Sequence, residues 1–271
     1  MPEVFGSDAF SPAEIAERIE QVGVAKARLP MMKLMMLGIL AGAFIGLGAM
    51  YSTLVASDHA LGFAVSRVLG GLVFSLGLLL VVVAGAELFT GNNLLAMAWA
   101  EGRITTGEVL RNWSIVCVSN FIGAASVALL VFCSGHTEMN HGEVAAQYIR
   151  IASAKCSMSF VPAFFSGIMC NILVCLAVWM SFAGRSVADK AVAIVFPISA
   201  FVAAGFEHSV ANMYFIPMGL LLKGSAIAGS EAISWMGLYR NLLPVILGNL
   251  VGGSVLVALV YHLIYRRQER K

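Results

Sequence analysis

The chain has 271 residues, of which 59% are hydrophobic and 12% charged, and its formal net charge is +2. An ordinary soluble domain carries about a quarter charged residues, so this composition excludes one and points to a membrane protein. The small net charge gives no basis for binding nucleic acid, and five cysteines without a Cys-x-x-Cys read as small apolar residues.

In chain order, the first thirty residues are charged and lack the apolar stretch of a secretory leader, so none is expected. Ser11-Pro12-Ala13-Glu14 has the form of a capping box with Pro at the first helical position. Ile15, Ile19 and Val22 then fall on one helical face. Residues 1–30 are therefore expected to hold an amphipathic cytoplasmic helix resting on the bundle or the membrane interface. A movable plug over a pore mouth is the sharper alternative. Six hydrophobic spans follow, at about 33–52, 68–99, 113–133, 159–182, 191–222 and 242–265. Each is near or above the roughly 20 residues needed to cross the hydrocarbon. This divides the chain into a first three-span unit (31–135), an extracytoplasmic loop (136–158), a second three-span unit (159–267) and a cytoplasmic tail (268–271). Arg18, Lys26, Arg28, Lys33, Arg103, Arg111, Arg185, Lys190, Arg266, Arg267, Arg270 and Lys271 collect on one side. Arg67, Arg150, Lys155, Lys223 and Arg240 lie on the other, which puts both termini in the cytoplasm.

The two halves echo each other inside their apolar runs. Gly85, Glu87 and Asn92 recur as Gly205, Glu207 and Asn212 at the same spacing. Arg111-Asn112 is followed by Asn120 and Gly123, and Arg240-Asn241 by Asn249 and Gly252. Gly42 with Gly46 is matched to Gly167 with Asn171. An odd number of spans per unit forces opposite orientations. The expected fold is an all-α membrane protein with six transmembrane spans, an inverted 3+3 repeat, and second and fifth helices broken at 85–93 and 205–212.

A carboxylate and an amide in hydrocarbon cost several kcal/mol unless protein or water satisfies them. A broken helix survives there only where protein buries it or water lines it. The second half-helix after each break starts near the bilayer centre, with about half a positive charge from its aligned peptides, which suits a small anion. His208 is the one histidine of five inside a broken span. An imidazole there can donate, accept or pass a proton, although a lone histidine is more often a packing residue. Glu87 and Glu207 are expected to be structural, accepting from freed N–H groups or the partner half, rather than to gate anions. Asn92 and Asn212 are expected to cap the second half-helices. Phe74, Leu78, Leu88, Phe89, Val174 and Phe201 read by position as core or lipid-facing residues. Lining a pore is their alternative role. His136, His141, Glu138 and Glu143 make a poor metal site. No phosphate-cradling loop, zinc-protease helix or nucleophile elbow occurs, so no cofactor or metal is expected.

Gly85–Gly91 (GAELFTG), Asn171–Ser181 (NILVCLAVWMS), Gly184–Lys190 (GRSVADK) and Ala204–Met213 (AGFEHSVANM) together resemble the formate/nitrite transporter family. The resemblance covers nearly the whole chain and is greatest to the formate channel branch. It implies an aquaporin-like fold without aquaporin sequence similarity, and a homopentamer in a bacterial inner membrane with a pore in each protomer. It makes His208 the central histidine, with Thr90 and Asn171 beside it as permeant and proton relay. Lys155 becomes the anion-attracting residue of the outer vestibule, and Phe74, Leu78, Leu88, Phe89, Val174 and Phe201 become the constrictions. The implied permeant is formate, either accompanied by a proton through the central histidine or passing as the bare ion. Nitrite and hydrosulfide are alternatives within the family, and an integral membrane enzyme using His208 and Glu207 as acid and base is a distant one. A small anion crosses an apolar neck more cheaply as its neutral acid, which gives a proton passed from or through His208 a purpose.

Overall fold

The computed structural model describes residues 9–224 and 230–265, which are helices, turns and short connections with no strand among them. Arg266, Arg267, Arg270, Lys271 and the expected tail 268–271 lie outside the described residues. Helix α1 (Pro12–Ala27) opens with the expected capping box: the Ser11 hydroxyl accepts from the Glu14 N–H, and the Glu14 carboxylate accepts from the Ser11 N–H at 2.7 Å. Those bonds hold the Glu14 carboxyl below its usual range. Ile15 and Ile19 are buried, so α1 lies with its apolar face on the bundle. Its other anchor is ionic. Glu20, fully buried, lies 3.8 Å from Arg103 and 3.8 Å from His262 near the end of the last helix.

The helices that follow are α2 (Met31–Ala56), α3 (Phe63–Gly85), α4 (Leu95–Ala100), α5 (Thr106–Cys133), α6 (Glu143–Ser157), α7 (Phe160–Ser181), α8 (Val187–Ala204), α9 (Ser209–Leu222) and α10 (Trp235–Tyr265). Six of them, α2, α3, α5, α7, α8 and α10, are long and apolar enough to cross a membrane. Large apolar side chains such as Phe63, Leu130 and Phe196 stand exposed on their outer faces, as expected where the neighbour is lipid or another apolar surface.

Residues 136–158, expected as a loop, are mostly helical. Two short 3-10 turns lead into α6, which buries Val144, Ala145, Tyr148, Ile149 and Ala152 on one face. The spacing of those residues carried the amphipathic signal, but the segment is too polar to register as a span. α6 is also the counterpart of α1. The Asn112 amide donates to the Lys26 carbonyl at 3.1 Å, and the Asn241 amide to the Lys155 carbonyl at 3.0 Å, each across 86 residues. Each half is thus an amphipathic helix, three apolar spans and a short apolar helix after the break (α4, α9), and α6 is the element beyond those expected.

Within each half the first and third apolar helices pack backbone to backbone. A Cβ at Gly123 would collide with the Ile39 carbonyl, and one at Gly252 with the Ile168 carbonyl. The same contacts correct the matching of small residues. Asn120 donates to the Gly38 carbonyl at 2.7 Å and Asn249 to the Gly167 carbonyl at 2.8 Å. Gly167 therefore answers Gly38, and Asn171 answers Gly42. Runs of glycine and alanine carry little register information, which is why the matching slipped by four.

α3 and α8 both end on a glycine in the left-handed region, Gly85 (φ 82°) and Gly205 (φ 79°), where a Cβ would be strained. Both ends close alike: the Ala86 N–H donates to the Val81 carbonyl at 2.9 Å, and the Phe206 N–H to the Phe201 carbonyl at 3.0 Å. The chain then leaves the helix for residues 86–90 and 206–208. Both interruptions are shorter than expected. Asn92 already lies in the 3-10 turn Gly91–Leu94 that leads into α4, and Asn212 lies inside α9.

Candidate transport pathway at the paired helix breaks

Each break is held by the same three anchors. The first is an ion pair: Lys26 Nζ lies 3.0 Å from Glu87 and Lys155 Nζ 2.7 Å from Glu207. The second is an amide pair. Asn92 Nδ2 donates to Glu87 at 2.7 Å and to Asn112 Oδ1 at 3.0 Å. Asn212 Nδ2 donates to Glu207 at 2.6 Å and to Asn241 Oδ1 at 2.7 Å. The third is a clamp from the last helix of each half. Asn120 accepts from the Phe89 N–H at 2.8 Å and donates to the Glu87 carbonyl at 3.0 Å. Asn249 accepts from the Ser209 N–H at 3.0 Å and donates to the Glu207 carbonyl at 3.1 Å.

Glu87 and Glu207 are therefore satisfied by lysine ammonium and asparagine amide groups, not by freed backbone N–H groups. Asn92 and Asn212 are not caps. Their amides are spent on the glutamates, because each has entered a helical turn and points back across the break. The side chain that caps α9 is His208, whose Nδ1 accepts from the Ala211 N–H at 3.1 Å. The 3-10 turn before α4 has no side-chain cap.

His208, Thr90 and Asn171, far apart in sequence, come together. Thr90 Oγ1 lies 2.9 Å from His208 Nε2. Asn171 donates to the Thr90 carbonyl at 3.2 Å, to Asn93 Oδ1 at 2.7 Å and to the Asn249 carbonyl at 2.7 Å. All three are buried. Because Nδ1 of His208 accepts from a backbone N–H, the hydrogen-bond network assigns the proton of the neutral ring to Nε2, which donates to Thr90. The threonine hydroxyl then keeps its own hydrogen for another acceptor.

A cavity is lined by residues of each break, and the one at the second break includes His208. One, about 520 Å³, opens beside α1 and is lined by Arg18, Lys26, Lys190, Glu87, Leu78 and Leu88 among others. The second, about 300 Å³, opens beside α6 and includes Arg67, Lys155, Glu207, Phe74, Phe201 and His208. Cationic side chains outnumber carboxylates in each lining, which favours a small anion in both. Lys155 thus lines a cavity as expected, but its charge is largely met by Glu207. Phe74 and Phe201 meet edge to face at 5.7 Å, and Phe201 packs 5.8 Å from the His208 ring. Of the six expected constriction residues, Phe74 and Phe201 line the cavity beside α6, and Leu78 and Leu88 the one beside α1. Phe89 and Val174 are buried and line neither.

Sequence reasoning missed Lys26, Asn93 and the clamping roles of Asn120 and Asn249. The common 86-residue spacing of Lys26 to Asn112 and Lys155 to Asn241 was the signal that could have found Lys26. Asn93 had none, because nothing in the second half matches it.

Two cation-rich cavities, one at each helix break, and a buried polar cluster inside six apolar helices define a membrane transport protein. A model described as "Formate/nitrite transporter" matches residues 13–263, and the chain belongs to this family. It is 40% identical to the formate channel FocA of Escherichia coli strain K12, with 96% of each chain covered. It is 42% identical to the uncharacterized transporter YrhG of Bacillus subtilis, covering 96% of this chain and 95% of that one. Among solved structures it is similar to a pentameric formate channel with formate bound (TM-score 0.81, 38% identity, 87% of this chain and 97% of the other). It is also similar to an FNT family ion channel (TM-score 0.84, 30% identity, 93% and 98%).

Proposed function

We propose that the chain is a formate channel of a bacterial inner membrane, with both termini cytoplasmic, halves inverted about an in-plane axis in an aquaporin-like arrangement, and five protomers each carrying a pore. The relatives named formate channels, and the pentameric neighbour with formate bound, support the permeant and the assembly. The observation that carries the site is the Thr90–His208 contact, 2.9 Å, which joins the two breaks, each of which lines a cation-rich vestibule. In this reading Lys155, Lys26 and their neighbours concentrate the anion. Leu78 and Leu88 form one apolar neck, Phe74 and Phe201 the other, and Phe89 and Val174 back them from the core. Between the necks, His208 donates through Nε2 to Thr90, whose hydroxyl donates to the carboxylate of the permeant. Asn171 holds the Thr90 carbonyl in place. Glu87, Glu207, Asn92 and Asn212 keep the breaks open.

Charge decides the rate at the necks. A bare anion in an apolar constriction loses its hydration, and a neutral acid loses far less. Full proton transfer by the His208–Thr90 relay requires His208 to take a second proton, and its one acceptor site, Nδ1, is occupied by the Ala211 N–H. Proton coupling therefore opens the α9 cap, which makes transport sensitive to pH. Uptake by protein-loaded liposomes in formate, nitrite, hydrosulfide and acetate tests the permeant, and formate is expected to enter fastest. His208→Phe is expected to abolish the pH response. Unchanged formate uptake and pH response in that variant removes the role.

A further inference from the structure

Asn249 touches neither cavity, yet its amide spans the backbone on both sides of His208. Oδ1 accepts from the Ser209 N–H at 3.0 Å, and Nδ2 donates to the Glu207 carbonyl at 3.1 Å and to the Gly167 carbonyl on α7 at 2.8 Å. Both N–H donors and the carbonyl oxygen of this fully buried amide are used. The backbone carbonyl of Asn249 also accepts from Asn171 at 2.7 Å. One residue of α10 thus fixes the peptide groups flanking the imidazole and the side chain that holds Thr90. Asn120 does the same in the other half, between the Glu87 carbonyl, the Phe89 N–H and the Gly38 carbonyl, and the residue it brackets is Leu88.

From this juxtaposition we propose that Asn249 is the positioning residue that sets His208 and Asn171 at the pathway, and that Asn120 is its counterpart for the apolar neck at Leu88. The inference rests on the reading of His208 as the group that handles the permeant and its proton. The clamp bonds to main chain, so its removal lets the His208 backbone shift without deleting any group that meets the anion. A displacement of about 1 Å at a reacting group can cost on the order of 100-fold. The Ala211 N–H bond that makes Nδ1 an acceptor depends on the same backbone. Loss of the clamp therefore alters how readily the ring takes a proton, whereas Asn120 bonds nothing on the segment of His208 and its loss leaves the Nδ1 bond in place.

The test compares two variants that remove equivalent bonds. Asn249→Ala and Asn120→Ala, with His208→Phe beside them, are reconstituted as the full-length protein in liposomes, and formate uptake is followed across pH. Asn249→Ala is expected to slow uptake about 10-fold or more and to flatten or displace the pH profile toward that of His208→Phe. Asn120→Ala is expected to change the rate and the discrimination against acetate while keeping the wild-type shape of the profile. If either alanine variant does not assemble, Asn249→Ser and Asn120→Ser, each keeping part of the bonding, give the same contrast at smaller amplitude. A wild-type profile in the Asn249 variants, with that of His208→Phe lost, overturns the inference and leaves the function standing. Equal distortion of the profile by the Asn249 and Asn120 variants also overturns it, since general loosening would do that. A wild-type profile in His208→Phe overturns the reading beneath both.

Discussion

The two helix breaks are built alike and do different work. Each has a left-handed glycine, a glutamate held by lysine from an amphipathic helix, two asparagines bonded to each other, and a third asparagine clamping the main chain. They differ at the bracketed position, Leu88 in one and His208 in the other. The histidine supplies a cap through Nδ1, and the chain after it runs straight into the 14-residue α9. Leucine cannot cap, and the chain after it passes through a 3-10 turn into the 6-residue α4. A duplicated scaffold thus presents a leucine side chain at one bracketed position and an imidazole at the other.

The ion pairs offer the largest effects by which to break that likeness. Lys155 is more buried than Lys26, with side-chain exposures of 14% and 29%, so its charge depends more on its partner. Removing one member of a buried pair leaves the other uncompensated, a loss of about 3–5 kcal/mol. Glu207→Ala is expected to approach that loss and to lower the thermal midpoint in detergent well below that of Glu87→Ala, whose lysine reaches water. Equal midpoints would show that the two anchors are energetically equivalent despite their burial.

A middle-sized effect is expected at Thr90. Thr90→Val keeps the shape but leaves the His208 Nε2–H without its acceptor, a penalty of about 1–3 kcal/mol for a buried group. Slower formate uptake is expected, with recovery in Thr90→Ser. The residue two after Leu88 would then matter through its reach across to the second break rather than through its own. Uptake by Thr90→Val equal to that of Thr90→Ser would separate the threonine hydroxyl from transport.

The smallest effect lies outside the breaks, at the start of α1. Glu14 accepts from the Ser11 N–H at 2.7 Å and from the Ser11 hydroxyl at 2.8 Å, and these bonds hold its carboxyl below the usual range. A folded value below the unfolded one contributes stability above the usual carboxylate range and loses it as pH falls through the lowered value. Glu14→Gln is therefore expected to be slightly less heat-stable than wild type at neutral pH and equal to it in acid. A gap that persists in acid would assign the effect to shape rather than charge.

Much of this was legible in the sequence because membranes impose strong rules. Apolar length gave six spanning helices, since lipid offers no partner to an unsatisfied backbone. Glycine with glutamate and asparagine at fixed spacing gave both breaks, and the Ser11–Glu14 box gave α1. The family resemblance implies that Thr90, Asn171 and His208 are neighbours, and the three share one hydrogen-bonded cluster. Less was readable where polarity and spacing were ambiguous. Residues 136–158 read as a loop, because a short helix buried on one face looks polar in total. Asn92 and Asn212 read as caps, because a residue in the first turn after a break can face either way.

What the sequence determined by itself was the class, the span number and the location of the two breaks, because these follow from local composition and the cost of polar groups in hydrocarbon. What only the tertiary structure decided was who partners whom. Lys26 and Lys155 reach the glutamates from separate helices, His208 spends Nδ1 on a cap, and Asn249 brackets it from α10. Each of those bonds joins residues far apart in the chain, and which of several possible acceptors a buried donor takes is fixed by helix packing, which local sequence does not encode.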